Sequence, residues 1–121
     1  MRNEIKSIKF ISEWEELKSQ SLFTKEIIIL KLSSACLRSR FAEEEFSRWY
    51  NGLRTKDEIL PVKLNVIQSK ALSRKIESDL MIKHESPQLI WLNKDGSVRM
   101  YANHSEITSD KLSETDLKET K

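Results

Sequence analysis

The chain has 121 residues, of which 38% are hydrophobic and 33% are charged, so it can build one modest core and no second domain. Its 21 basic and 19 acidic residues are interspersed and leave a net charge of +2, without the basic block typical of nucleic-acid binding. No apolar run approaches the roughly 20 residues that span a bilayer, and the N-terminal sequence lacks an apolar signal core. We therefore predict one cytoplasmic domain over residues 1–121, with no nucleic-acid or membrane partner.

The first half of the chain predicts parallel β-α units. Residues 8–11 suggest a short strand, and Ser12 followed by Glu15 forms a capping box that opens a helix. Residues 26–32, EIIILKL, predict a strand that is buried on both faces. A second helix is predicted from near Cys36 to near Gly52, because apolar residues recur at helical spacing, at Ala42, Phe46, Trp49 and Leu53.

The second half predicts one more such unit and then an antiparallel hairpin. Residues 61–68 alternate as a strand, and Leu72, Ile76 and Leu80 mark a helix. Residues 87–93 and 97–102 predict two strands joined by a turn at Gly96. Residues 108–120 predict a polar helix with a frayed end, held to the core by Leu112 and Leu117.

The predicted order, β-α-β-α-β-α-β-β-α, defines an α/β fold with a mixed central sheet flanked by helices. This is the thioredoxin-like order of elements, with right-handed crossovers in its parallel half. The spacing of Trp14, Trp49 and Trp91 within periodic segments favours core packing over the lining of a groove.

The only cysteine, Cys36, is predicted where open α/β sheets gather their chemistry, between the end of a strand and the start of a helix. Helix N-termini favour anions such as a thiolate, and Arg38 and Arg40 add positive charge nearby. One interpretation is a reactive, partly exposed nucleophile, and the other is a small, inert, buried thiol. A lone cysteine forms no internal disulfide, and with only His84 and His104 as histidines no metal centre is expected.

Three motifs and the cysteine segment resemble a known family. The motifs are KHESPQ at 83–88, ALSRKIESDLMI at 71–82 and HSEIT at 104–108, and Cys36 with Ser39 gives Cys-x-x-Ser. The sequence is similar to the monothiol bacilliredoxins, which are YtxJ-like, thioredoxin-fold proteins of bacillithiol-using bacteria. The family commonly has threonine before the cysteine and proline after it, where this chain has Ala35 and Leu37.

The resemblance implies a monothiol thiol–disulfide oxidoreductase. Cys36 would remove bacillithiol or a similar small thiol from mixed disulfides on client proteins, and a recycling thiol or a reductase would then free it. The small thiol is a co-substrate, and neither a tightly bound cofactor nor a metal is expected. Ser39, Ser86, Pro87 and Arg38 are the predicted substrate-binding residues, with Pro87 in a cis peptide facing the thiol and the backbone at Ser86 pairing with an extended substrate.

Two other hypotheses stay open at this point. One is a non-catalytic binding module that uses the groove beside Pro87, and the other is a sensor in which Cys36 is oxidised to a sulfenic acid. For His84 a solvated side chain is favoured over a role in tuning the thiolate or binding carboxylates. The run Glu43–Glu45 is interpreted as a solvated helix face that could pair with Arg48.

Overall fold

The computed structural model describes residues 5–21 and 24–119, where five strands form one sheet with helices against it. The elements follow the predicted order, with short 3-10 turns at Lys56–Glu58 and His104–Glu106. Their bounds are β1 Lys6–Ser7, α1 Ile11–Ser21, β2 Glu26–Leu32, α2 Leu37–Asn51, β3 Ile59–Asn65, α3 Lys70–Leu80, β4 Gln88–Leu92, β5 Val98–Asn103 and α4 Ser109–Glu119.

The sheet has the strand order β1-β3-β2-β4-β5. β1 and β2 run parallel to β3, whereas β4 runs antiparallel to both β2 and β5. The parallel half and the closing hairpin are therefore as predicted. The turn between β4 and β5 contains Gly96 at a φ of 89°, a left-handed conformation that glycine adopts without steric cost.

The central strand β2 separates two apolar clusters. Its side chains alternate, so Ile28 and Leu30 face α2 and α4, while Ile27 and Ile29 face α1 and α3. Burial of β2 on both faces explains its near-continuous apolar sequence, as predicted. The three tryptophans belong to these clusters, with at most 8% exposure, which confirms the core interpretation: Trp14, Trp49 and Trp91.

The start of the chain differs from its prediction. The first strand is Lys6–Ser7 rather than residues 8–11, because only these two residues keep register with β3. The following helix begins at Ile11, where the Glu13 carboxylate accepts the backbone N–H groups of Lys9 and Phe10 at 2.7 and 3.0 Å. The capping box of Ser12 with Glu15 was therefore wrong, since the acceptor that caps this helix lies two residues earlier.

Two other boundaries follow from local hydrogen bonds. β3 begins at Ile59 and ends at Asn65 rather than spanning residues 61–68, because the side-chain oxygen of Asn65 accepts the N–H groups of Ile67 and Gln68 and turns the chain. Leu112 is buried against the α2 side of the sheet, as predicted. The side chain of Leu117 and the frayed end of the last helix lie outside the described residues.

Candidate active site

Cys36 lies between the end of β2 and the first turn of α2. It is the N-cap residue of α2, with extended backbone angles of −116° and 124°, and its side chain is half-buried. Its N–H donates to the Ser33 carbonyl at 3.2 Å, so the loop is folded back on itself before the helix starts. The first turn of α2 contains no acidic residue, and the Cys36 side chain makes no capping hydrogen bond to it, so a thiolate here would be favoured by the helix dipole and not by a direct backbone bond.

Ser39 occupies the position where a second thiol of a Cys-x-x-Cys pair would lie. It is buried, and its Oγ accepts the backbone N–H of Ser33 at 2.9 Å. This bond ties the loop that precedes Cys36 to the first turn of α2. The hydroxyl proton of Ser39 has no acceptor among the described residues, so its predicted donation to the thiolate of Cys36 stays a prediction.

The Ser86–Pro87 segment lies at the same edge of the sheet as the cysteine loop. β2 and β4 are antiparallel, and Lys31 near the end of β2 pairs with Gln88 at the start of β4. The Ser86–Pro87 peptide is cis, and the Pro87 carbonyl accepts the His104 N–H at 2.8 Å. The hydroxyl oxygen of Ser86 is buried and has no hydrogen-bond partner among the described residues. Strand register therefore places Pro87, before β4, and Cys36, after β2, at the same end of these two paired strands.

A cavity of about 690 Å³ opens on the β3 side of Cys36. Its lining comes from the cysteine loop, one face of α2, the end of β3 and two flanking residues: 32–37, Ser39, Arg40, Glu43, 63–65, Ser7 and Gln68. The volume lies within the range of about 300–1,000 Å³ typical of small-molecule sites. The structure thus brings Cys36 and Ser39 together at one cavity.

The other predicted site residues do not line this cavity. Arg38 is exposed on α2, and Ser86 and Pro87 lie on the β4 side of the sheet edge. Arg40 lines the cavity in place of Arg38, because it lies one helical turn beyond Cys36. The spacing of the sequence contains this signal, since residues at i and i+4 share a helix face whereas residues at i and i+2 do not. A substrate-binding role for Arg38, Ser86 and Pro87 stays a prediction.

A buried polar cluster lies near the carboxyl end of β2, the end that leads into the Cys36 loop. Lys31 is fully buried, and its Nζ lies 3.2 Å from Nδ1 of His84, which is also 3.2 Å from Oγ of Ser73. The Glu77 carboxylate accepts the His84 backbone N–H at 2.9 Å. Burial lowers the pKa of Lys31 from 10.5 to about 8, against the attraction of the Glu77 carboxylate. Burial, and then the charge of Lys31, also lower the pKa of His84.

Two interpretations of polar residues were wrong. His84 is not solvated, because it is half-buried between Lys31 and Ser73. The run Glu43–Glu45 is only partly a solvated face. Glu45 is buried, where it accepts the Ser109 N–H at 3.0 Å and pairs with Arg48 at the same distance, and Glu43 pairs with Lys63 at 2.7 Å.

Within residues 5–21 and 24–119, no three metal-ligating side chains cluster, and no helix has the length and apolarity needed to cross a bilayer. The cavity itself contains one thiol, the guanidinium of Arg40, the ion pair of Glu43 with Lys63, and serine and amide side chains.

Known proteins resemble this chain over nearly its full length. A family model described as monothiol bacilliredoxin BrxC matches residues 6–112. Among solved structures, a protein with a thioredoxin fold is 23% identical, covers 93% of each chain and superposes with a TM-score of 0.78. Thioredoxin of Fasciola hepatica is 15% identical over 94% of this chain and 98% of its own, with a TM-score of 0.72. Thioredoxin of Schistosoma mansoni is 16% identical over 95% and 94%, with a TM-score of 0.67. At these identities the structures establish the fold, and the prediction of a thioredoxin-like fold is confirmed.

Proposed function

Since this chain belongs to the monothiol bacilliredoxin family and is a thiol oxidoreductase of thioredoxin fold, we propose that it removes bacillithiol, or a similar small thiol, from mixed disulfides on client proteins. The observation that carries the proposal is the placement of Cys36. This only cysteine is half-buried at the N-terminus of α2, beside a cavity of small-molecule size, and has Ser39 where a resolving thiol would lie.

The proposed reaction is one thiol–disulfide exchange followed by another. The Cys36 thiolate attacks the small thiol's sulfur in the client disulfide, a new S–S bond forms, and the client leaves as a thiolate that takes a proton from solvent. The oxygen of Ser39 forms no disulfide, so the cargo stays on Cys36 until an external thiol attacks the same sulfur. Each step exchanges one disulfide for another, and there is no net oxidation.

The surroundings of Cys36 suit a protein client on the open side of the thiol. Leu37 and Phe41 lie four residues apart on α2 and are 77% and 55% exposed, which leaves two apolar side chains on the helix that follows Cys36 for a client to contact. A recycling thiol or a reductase completes the cycle, and no tightly bound cofactor takes part. We place this activity in the cytoplasm, where small thiols keep protein cysteines reduced.

The test is transfer of one bacillithiol followed by intact-protein mass spectrometry. Wild-type protein incubated with a bacillithiolated client is expected to gain one bacillithiol while the client loses it. Cys36→Ser is the negative control, and Arg74→Gln, at an exposed position of α3, is a surface control that keeps the thiol. If the client stays modified in the presence of wild-type protein, the exchange proposal is refuted and the binding-module hypothesis replaces it. If the transfer occurs but no external thiol releases the cargo, Cys36 acts as a sensor and not as a turnover catalyst.

A further inference from the structure

The cavity beside Cys36 supports an inference about the small thiol that the protein uses, and this inference rests on the proposed function. We infer that this cavity holds the carboxylate-bearing end of the small thiol carried on Cys36, and that Arg40 binds that carboxylate. The ligand class is therefore a small thiol with at least one carboxylate group, and Arg40 is a specificity-determining residue for it.

The position of Arg40 follows from helix geometry. Arg40 and Glu43 lie three residues apart and form one stripe along α2, which begins directly after Cys36, and all three residues line the cavity. A small thiol bound to the Cys36 sulfur and lying in the cavity therefore extends along the face that bears Arg40. Arg38, only two residues before Arg40, lies off this stripe and does not line the cavity.

The charges around the cavity favour an anion. Apart from Cys36, the ionisable side chains of the lining are Arg40, Glu43 and Lys63. Glu43 and Lys63 form an ion pair at 2.7 Å, which neutralises the only carboxylate of the lining. Arg40 makes no hydrogen bond or ion pair with any other described residue, so its guanidinium is free to bind a ligand. A guanidinium matches a carboxylate with two parallel hydrogen bonds, and a net positive cavity with this donor selects that group.

The remaining lining supplies polar contacts without a competing negative charge. The side-chain oxygen of Asn65 is occupied by the N–H groups of Ile67 and Gln68, which leaves its NH₂ group as a donor. Ser34 and Gln68 are exposed at the rim and can bond a polar ligand. A cavity of about 690 Å³ accommodates a thiol larger than a single amino acid.

The experiment compares two disulfides that differ only in the carboxylate. Cystine and cystamine each react with the Cys36 thiolate to form a mixed disulfide and release the other half as a thiolate. Cystine brings a carboxylate next to the sulfur, and cystamine does not. Rates of adduct formation are measured by intact mass on the full chain, below saturation, for wild type, Arg40→Gln, Arg40→Lys and the matched control Arg74→Gln, at an exposed position of α3 that does not line the cavity. Comparing each variant with wild type for the same disulfide cancels the difference between leaving groups.

Arg40→Gln is expected to slow the cystine reaction about fivefold and not to slow the cystamine reaction, since one charge-assisted pair at an accessible site is lost. Arg40→Lys is expected to restore part of the loss, and Arg74→Gln to stay within about twofold of wild type for both disulfides. Equal slowing of both disulfides by Arg40→Gln, or an equal effect of Arg74→Gln, overturns the inference and leaves the proposed function intact. If neither disulfide forms an adduct on Cys36, the proposed function itself fails.

Discussion

Replacement of Lys31 by methionine tests the energetics beneath the active site. Lys31 is 0% exposed at the end of β2, and its ammonium group is bonded to the His84 ring at 3.2 Å and to no other side chain in residues 5–21 and 24–119. Its pKa falls from 10.5 to about 8 in the folded protein, chiefly through burial. That shift corresponds to about 3 kcal/mol by which the folded state disfavours the charged form. Methionine has similar length and no charge, so Lys31→Met removes this cost and loses one hydrogen bond, worth about 1 kcal/mol.

The sign of the effect depends on pH. Below pH 8 Lys31 is charged in both the folded and the unfolded chain, and the full cost is present. As pH rises from 8 to 10.5 the folded chain releases its proton first, so wild-type stability recovers over this interval. Lys31→Met is therefore expected to be about 2 kcal/mol more stable than wild type at pH 7. This gain should shrink between pH 8 and 10.5 and end as a small deficit from the lost hydrogen bond.

The assay is urea unfolding followed by tryptophan fluorescence at pH 7, 8, 9 and 10.5. Lys70→Met, at an exposed position that begins α3, controls for a generic loss of positive charge and should differ from wild type by less than about 0.5 kcal/mol at each pH. A Lys31→Met variant that is less stable than wild type at pH 7 refutes the reasoning. In that case the buried ammonium, with Ser73 and His84, stabilises the fold instead of straining it.

Three more substitutions test other parts of the structure. Burial opposes ionisation of Asp79, but hydrogen bonds from Trp14, Lys18 and Lys75 outweigh it and lower its pKa to about 2. Asp79→Asn should cost about 1 kcal/mol at pH 7, and this difference should disappear in urea titrations as pH falls from about 4 to 2, since stability from a depressed carboxyl is lost in that window. Ser39→Ala should cost about 1 kcal/mol and speed amide exchange at Ser33, and unchanged exchange would contradict the loop anchor. Leu112→Ala should cost about 3 kcal/mol by urea unfolding, whereas a loss below 1 kcal/mol would show that α4 lies outside the cooperative core.

Periodicity predicted most of the fold because each element carries its own local pattern. The run EIIILKL places β2 without error at Glu26–Leu32, and helical spacing places α2 behind Cys36. The first strand could not be placed in this way. Its position is set by pairing with β3 at Val62 and Lys63, which are distant in sequence, and not by its own apolar residues.

The parts of the candidate site formed by residues close in sequence were predicted, and the contacts between residues far apart in sequence were missed. Cys36 and Ser39 are found from their own spacing at the start of α2. The partnership of Lys31 with His84 joins residues 53 positions apart and depends on how β2, β4 and α3 pack together, which no local pattern encodes. A lysine inside a strand predicted to be buried on both faces was a signal that it needs a polar partner, although it did not indicate which one.

The hydrogen bond from the Ser33 N–H to the Ser39 hydroxyl limits how easily a second thiol could be introduced next to Cys36. Serine and cysteine differ by one atom, so a one-thiol protein would seem one substitution away from a two-thiol protein. Here that mutation would also replace the acceptor that anchors the cysteine loop with sulfur, which accepts hydrogen bonds weakly. The buried position offers little room for the larger atom. A second thiol at position 39 therefore requires another anchor for residues 33–36, so a single substitution is not expected to convert this one-thiol site into a working two-thiol site.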